Sequence, residues 1–427
     1  MLSPLDDRYF QKVRELNDYF SEDAMLKTKA RIELDYFVAL CEELNLPLND
    51  TDHHWIAHIW NDIQPIHIKL IEEKTRHDIK AIEYYLRERF NHFNIPHDHM
   101  IHFGLTSQDV NSLAISVMLD RFNQTEMSYQ MNELINKIFS FGHENKTIFP
   151  ARTHGQLAVP TLFQKEMEVF VNRVDAVWSD TIEFPFTAKF GGAVGNLSAH
   201  YIAYPDHDWI NFADRFLRKF DVDREACTTQ VANNVSISKY FDRIRMINNV
   251  LIDLCRDIWM YNSYGYLKQA TTKDEIGSST MPQKVNPIHF ENAEGNLELA
   301  NCLLEFMSNK LQLSRMQRDL TDSTVMRNVG VALGHSIVAY KSLLAGLERL
   351  SIDQTTVDRD LANTGLLAEA YQIILRKENV KGAYELIKDM ERNSSKIDDL
   401  PLSEEIKNKL KSVKIGSYVH HMTRDNF

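Results

Sequence analysis

The chain has 427 residues, 44% of them hydrophobic, which supplies a sizeable core and exceeds what one simple core holds, so two or three domains or a domain built into an oligomer are expected. A net charge of -12 argues against a nucleic-acid partner, because binding along a phosphate backbone needs a basic surface. No apolar run approaches the roughly 18 to 20 residues of a membrane span, and the opening MLSPLDDRYFQKV has no leader pattern, so the expectation is a cytoplasmic protein with no membrane partner. Cys41, Cys227, Cys255 and Cys302 stand far apart, and the 17 histidines form no HExxH pattern, so neither a disulfide framework nor a metal site is expected.

In chain order, the first polar stretch is TRHDIKAIEYYL, in which Arg76, His77 and Asp78 open a helix. The second, IHFGLTSQDVNS, puts His102, Thr106 and Ser107 at another helix start, where free backbone N–H groups and the helix dipole favour an anion. Ser107 and Asp109 would serve equally as plain helix caps. The third, ARTHGQLAVP, brings Thr153 and His154 to a glycine at the entry to an apolar run, so that His154 is expected exposed at the end of a helix. A lone histidine of this kind is more often structural than catalytic.

No strand alternation competes with helix over long stretches, and the best short candidates lie in the glycine-rich segment 182–204. Beyond it, proline is absent from 206–281 and from 288–400, and apolar residues recur at spacings of three and four. One such run passes from Tyr240 to Tyr261, a second from Phe290 to Leu311 and a third from Met326 to Leu347. Each predicts a helix about 30–40 Å long, packed in near-parallel bundles. Composition shifts near residues 96 and 350 divide the chain into an N-terminal helical domain, 1–95, a central long-helix domain, 96–350, and a small helical domain, 351–427.

Between the first two long helices lies GSSTMPQKVNP, a glycine-led loop kinked by Pro282 and Pro287. Ser278 and Ser279 are poor bases in water, yet a serine alkoxide stabilised by N–H donors and a lysine can take a proton from carbon. Lys284 and Asn286 alternate on an extended segment and can both face a carboxylate, as a carbanion mechanism requires. The last polar stretch, SRMQRDLTDSTVMRN, mixes Arg318, Ser323 and Arg327 with Asp319 and Asp322, and suits a phosphate or carboxylate as well as it suits a salt-bridged helix start.

The loop GSSTMPQKVNP resembles the GSSxMPxKxN signature of the fumarase/aspartase superfamily, whose members cleave a C–N or C–O bond by β-elimination and release fumarate or a close relative of it. TRHDIKAIEYYL, HFGLTSQDVN, RTHGQLAVP and QRDLTDSTVMRN together resemble the branch of that superfamily that acts on adenylosuccinate, in its longer bacterial type. The resemblance runs from LDDRY near the start to about residue 350 and thins beyond. Position 283 departs from it, with Gln where this branch more often has His, a choice seen also in argininosuccinate lyases.

The resemblance implies an all-α, three-domain superfamily fold whose central bundle forms the core of a homotetramer, with active sites shared between subunits. It makes His154 the general acid and Ser278 the general base, with Ser279 as the fallback. Lys284 and Asn286 would hold the succinyl carboxylate, and Thr106 and Ser107 the other carboxylate. Arg8, Tyr9, His77, Asp78, Arg318, Ser323 and Arg327 would surround the nucleotide and its phosphate, with His102 close to the phosphate and Gln230 touching the substrate. Arg76 and Met281, within the same motifs, complete the substrate-binding set. The implied substrates are adenylosuccinate, giving AMP, and the succinyl-carboxamide ribotide of purine biosynthesis; no cofactor is implied. Two alternatives remain: a sibling such as argininosuccinate lyase, and a non-catalytic structural member. Such structural members tend to lose the loop residues, all of which are present here.

Overall fold

The structure is a computed structural model that describes residues 2–271 and 280–422. It is all-α in character. The strands are short and pair only two at a time. The chain divides into two compact units, one made of residues 1–132, 176–249 and 295–341, the other of 133–175, 250–294 and 342–427.

In the first unit the helices begin where the sequence supplies caps. Ser21 accepts from the N–H of Ala24 to open Glu22–Glu43, and Asn49 with Asp52 forms a reciprocal cap for Asp50–Asn61. The Glu22–Glu43 helix carries an apolar face through Leu26, Ala30, Leu34, Phe37 and Leu40, which lies in a core shared with Tyr85, Leu86 and Phe90 of Asp78–Phe93. Tyr36 is fully buried and donates from its hydroxyl to the carbonyl of Phe103 at 2.7 Å, so its polar tip is satisfied inside that core. Helix Ser107–Phe122 passes through a π-helical turn at Asn123–Met127 into Ser128–Glu144. At the turn Asn123 donates to the carbonyls of Thr181 and Ile182.

The long apolar runs form Val235–Ser263 and Ile288–Lys310 as expected. The third run does not stay whole. It is split into Thr321–Met326 and Val329–Leu347, and Arg327 stands at the C-cap of the first piece. The stretch Thr321–Leu347 is, against expectation, long and apolar enough by composition to cross a membrane, but 72% of its most apolar window is buried, as in the core helix of a globular protein.

In the second unit the main strands are Ile148–Thr153 and Gln156–Leu162, an antiparallel hairpin, where sequence reasoning expected a helix end. A second ladder pairs Leu267–Gln269 with Leu350–Ile352. The expected strand region contributes only Thr187–Ala188, in the first unit, paired in parallel with Asp223–Arg224. The helices after residue 367 close on a small core of their own, among them Tyr371, Leu375, Ile387, Met390 and Leu410.

Candidate active site

The first unit contains a cavity of about 660 Å³, within the range of small-molecule pockets. Nine of the predicted binding residues line it: Arg76, His77, Asp78, Thr106, Ser107, Gln230, Arg318, Ser323 and Arg327. Three helix starts and two loops bring them together from positions up to 251 residues apart in sequence, from Arg76 to Arg327.

On one wall Arg76 ends helix Pro65–Thr75 in the left-handed conformation, and His77 caps the next helix. The Nδ1 of His77 accepts from the backbone N–H of Lys80 at 3.3 Å. That leaves the proton of the neutral ring on Nε2, which lies 3.4 Å from the hydroxyl of Ser107. Asp78 follows as the first helical residue and receives a hydrogen bond from the ammonium of Lys29 at 2.7 Å. Burial pushes the Asp78 carboxyl up, but the charge and hydrogen bond of Lys29 outweigh it, and the net position is below the usual carboxylate range. Glu72, on the same wall, is pushed up by burial and by the charges of Asp78 and Glu22.

A second wall is the start of Ser107–Phe122. The N–H of Thr106 is taken by the carboxylate of Asp109 at 2.8 Å. The same carboxylate accepts from the backbone N–H of Gly191 at 2.7 Å and of Gly192, and pairs with Lys189 at 2.7 Å, both side chains being fully buried. Asp109 therefore ties the helix start to the loop after residue 189. Gln230 is fixed to that loop through its amide, which donates to the carbonyl of Ala193 at 2.9 Å.

The third wall is 318–327. Asp322 accepts from Gln108 at 2.9 Å and from the N–H of Ser323 at 2.7 Å, so its charge is engaged within the wall. Arg327 reaches back to the carbonyl of Ser323 at 3.2 Å. The guanidinium of Arg318 has no ion pair among the described residues.

The other predicted residues lie elsewhere. His102 stands in the left-handed region, its Nδ1 2.6 Å from the buried carboxylate of Glu33. Burial lowers its basicity, and Glu33 outweighs that and raises it above the ordinary histidine value. Arg8 is exposed, and Tyr9 caps the short helix Phe10–Val13; neither lines the cavity. In the second unit His154 is exposed at the tip of the hairpin and not at a helix end. Thr153 and Gln156 pair, and His154 and Gly155 both adopt positive φ, the two-residue turn that matches strand twist. Arg152 braces this hairpin. It donates to the hydroxyl of Tyr266 at 2.9 Å and to the carbonyl of Gly155 at 3.0 Å, pairs with Asp360 at 3.3 Å, and lies 3.9 Å over the ring of Tyr264. Met281 and Lys284 are exposed and Asn286 is half-buried, just ahead of helix Ile288–Lys310. Ser278 and Ser279 lie outside the described residues. Among the described residues no group of three or more His, Cys, Asp or Glu could hold a metal ion.

Sequence reasoning missed Lys29, Glu72, Gln108 and Asp322 as wall residues. Lys29 had a signal, because Leu26, Lys29, Glu33, Phe37 and Leu40 recur at helical spacing, and charges on such a stripe call for buried partners.

A profile of the family described as "Lyase" matches residues 9–300, and one described as "Adenylosuccinate lyase C-terminal" matches 314–426. The likeness thus continues well past residue 350, where the motifs thin. Adenylosuccinate lyase of Dictyostelium discoideum is 40% identical over 98% of this chain and 96% of its own length. Those of Legionella pneumophila (strain Corby), 40% identical over 92% and 88%, and Escherichia coli (strain K12), 36% identical over 98% and 96%, are similar over comparable spans. Among solved structures, 3-carboxy-cis,cis-muconate lactonizing enzyme from Pseudomonas putida superposes with a TM-score of 0.75 at 18% identity, over 98% of this chain and 96% of that one. Fumarate lyase from Mesorhizobium sp. BNC1 gives 0.72 at 16%, over 94% and 93%. These two share the fold.

Proposed function

The chain belongs to the adenylosuccinate lyase family, and on that premise we propose that it eliminates fumarate from adenylosuccinate, giving AMP, and from the succinyl-carboxamide ribotide, giving the carboxamide ribotide. The observation that carries the reading is the cavity itself. Nine residues expected to surround a succinylated nucleotide line one space, with guanidinium groups on one side and a helix start with Thr106 and Ser107 on another.

In this reading Arg318, Arg327 and Ser323 take the phosphate, since guanidinium groups bind its oxygens at fixed geometry. Thr106 and Ser107 take one carboxylate of the succinyl group at the positive end of their helix. Lys284 and Asn286 hold the other carboxylate, next to the carbon that loses its proton. Ser278 removes that proton, and Lys284 stabilises the aci-carboxylate dianion that forms. His154, as imidazolium, protonates the nitrogen as the C–N bond breaks. In this reading charge is met by donors of the chain itself, and no cofactor is required. Arg8, Tyr9 and His102 belong to the nucleotide end of the same site, and Ser279 and Met281 to the signature motif.

Each site is assembled from several copies of the chain in a homotetramer. Leu299 and Phe306, two turns apart on one face of Ile288–Lys310, are 46% and 55% exposed, and that exposed apolar pair, which a second copy would cover, supports this arrangement. The three-domain division at 95 and 350 and a cytoplasmic location complete the reading.

The test is to add purified protein to adenylosuccinate and follow ultraviolet absorbance while assaying fumarate and AMP. Conversion lost in His154→Ala and in Ser278→Ala is expected. Release of fumarate from argininosuccinate with adenylosuccinate left intact would overturn the substrate assignment.

A further inference from the structure

Lys29 is the one fully engaged ammonium on the cavity wall. Only 7% of the residue is exposed, and its Nζ lies 2.7 Å from Oδ2 of Asp78. The other cationic wall residues, Arg76, Arg318 and Arg327, are exposed or half-buried. Around Lys29 the wall is acidic: Glu22, Glu72 and Asp78 all border the cavity, and the first and last of these charges push the Glu72 carboxyl up.

We propose that Lys29 is a specificity-determining and positioning residue that fixes the charge state and direction of Asp78, so that a carboxylate can serve an anionic substrate without repelling it. The inference rests on the nucleotide reading above. A carboxylate on the wall is useful as an acceptor for a hydroxyl or N–H of the nucleoside, but its charge opposes the phosphate and the two succinyl carboxylates. Lys29 resolves the conflict from behind. It occupies Oδ2, cancels most of the charge, and leaves Oδ1 without a side-chain hydrogen-bond donor among the described residues. Because Lys29 comes from Glu22–Glu43 and Asp78 from the next helix but two, the bond also fixes the start of Asp78–Phe93, and with it His77 and its approach to Ser107. Loss of Lys29 leaves the half-buried Asp78 without its ammonium partner, so the carboxyl either takes up a proton or repels the incoming substrate.

Lys29→Met, Lys29→Arg, Asp78→Asn and the double variant Lys29→Met/Asp78→Asn test this, with KM and kcat for adenylosuccinate measured from pH 5.5 to 8.5 and AMP affinity measured by calorimetry. Lys29→Met is expected to raise KM at least tenfold, with kcat changed less than threefold, and to add an ionisation to the pH profile of kcat/KM that is absent from the double variant. Lys29→Arg restores KM to within about threefold of the wild type, and the two single effects do not multiply in the double variant. Thermal unfolding of each variant identifies misfolded protein, and Lys29→Arg then carries the comparison. Unchanged KM and pH profile in Lys29→Met, multiplicative effects, or Lys29→Arg as poor as Lys29→Met would overturn the proposal. Wild-type protein that neither converts adenylosuccinate nor binds AMP would overturn the nucleotide reading itself, a result separate from any of these.

Discussion

His102 and Glu33 share a 2.6 Å hydrogen bond in the first unit, between a ring held at positive φ and a carboxylate with no exposed surface. Such a pair links proton binding to folding, because the carboxylate in the core is tolerable only with a partner. The His102 ring is raised above its ordinary value in the folded state. The stabilisation is therefore present in full below about pH 6.5, the unfolded value, and falls away as pH rises through the raised folded value. His102→Gln is expected to lower unfolding stability by about 1–3 kcal/mol at pH 6 and by less at pH 9. Denaturant titrations at fixed protein concentration check this, and a deficit that grows with pH would refute it.

Arg318 and Arg327 border the cavity beside Ser323, and under the proposed function they meet a phosphate. Replacement of either by Ala should raise KM for adenylosuccinate about 10- to 100-fold, or about 1.4–2.7 kcal/mol. The same variants should leave KM for the dephosphorylated nucleoside analogue within about threefold of wild type. Equal losses on both substrates would mean that these guanidiniums hold the wall together and do not read the phosphate.

Much of this site was legible before any coordinates, and the reason is local. His77 and Thr106 cap helices, and capping is written in a few adjacent residues, so TRHD and LTSQD could be placed at helix starts directly. The long helices were legible because Tyr240–Tyr261 and Phe290–Leu311 keep one apolar spacing for many turns. The break at Arg327 and Asn328 was not, since the apolar spacing continues across it from Met326 to Val329 while the backbone departs from the helix. Nor was the hairpin around His154. Its strands are short, Pro150 and Pro160 sit opposite one another within the ladder, and the turn THGQ lacks an Asn-Gly or Asp-Gly pair. Lys29 and Asp78, 49 residues apart, meet only through tertiary packing, which no spacing rule contains.

Gly104 and Gly155 separate backbone strain from crowding. Both have positive φ, 69° and 73°, but a Cβ at Gly104 would lie 2.4 Å from the ring of His200, whereas one at Gly155 would meet nothing within 4 Å. Gly155→Ala should cost about 1 kcal/mol, the strain alone. Gly104→Ala should cost about 3 kcal/mol or more, because the buried ring must also move. Comparable unfolding midpoints for the two variants would contradict this assignment.

Phe306 and Leu299 are exposed apolar residues on Ile288–Lys310, beside the exposed Glu298 and Glu305, and a charge in their place should disfavour burial by a second copy. If the proposed tetramer forms through this face, Phe306→Glu is expected to shift the mass measured by light scattering toward smaller species, and to reduce turnover with it if sites are shared between copies. A mass unchanged from the wild type would refute a self-contact through this face.

Arg152 acts on the hairpin that carries His154, the acid under the proposed function, without being an acid itself. Its guanidinium binds Tyr266, Asp360 and the carbonyl of Gly155, and Tyr266 in turn donates to Asp360 at 2.6 Å. Burial would push the Asp360 carboxyl up, but these donors and Arg359 hold it below the usual range, so it stays ionised at neutral pH. Arg152→Met keeps the length of the stem and removes the guanidinium's bonds to Tyr266, Asp360 and Gly155, which frees the turn at residues 153–156. A misplaced acid costs turnover more than binding, so kcat should fall about 10- to 100-fold with KM changed less than threefold. Arg152→Lys retains the charge but not the fork that reaches Tyr266 and Gly155 together, and should recover only part of the loss. The discriminating measurement is kcat with a substrate analogue whose leaving amine is less basic. If the hairpin serves proton delivery, the deficit of Arg152→Met shrinks on that analogue, and a deficit of the same size on both substrates would assign Arg152 to stability alone.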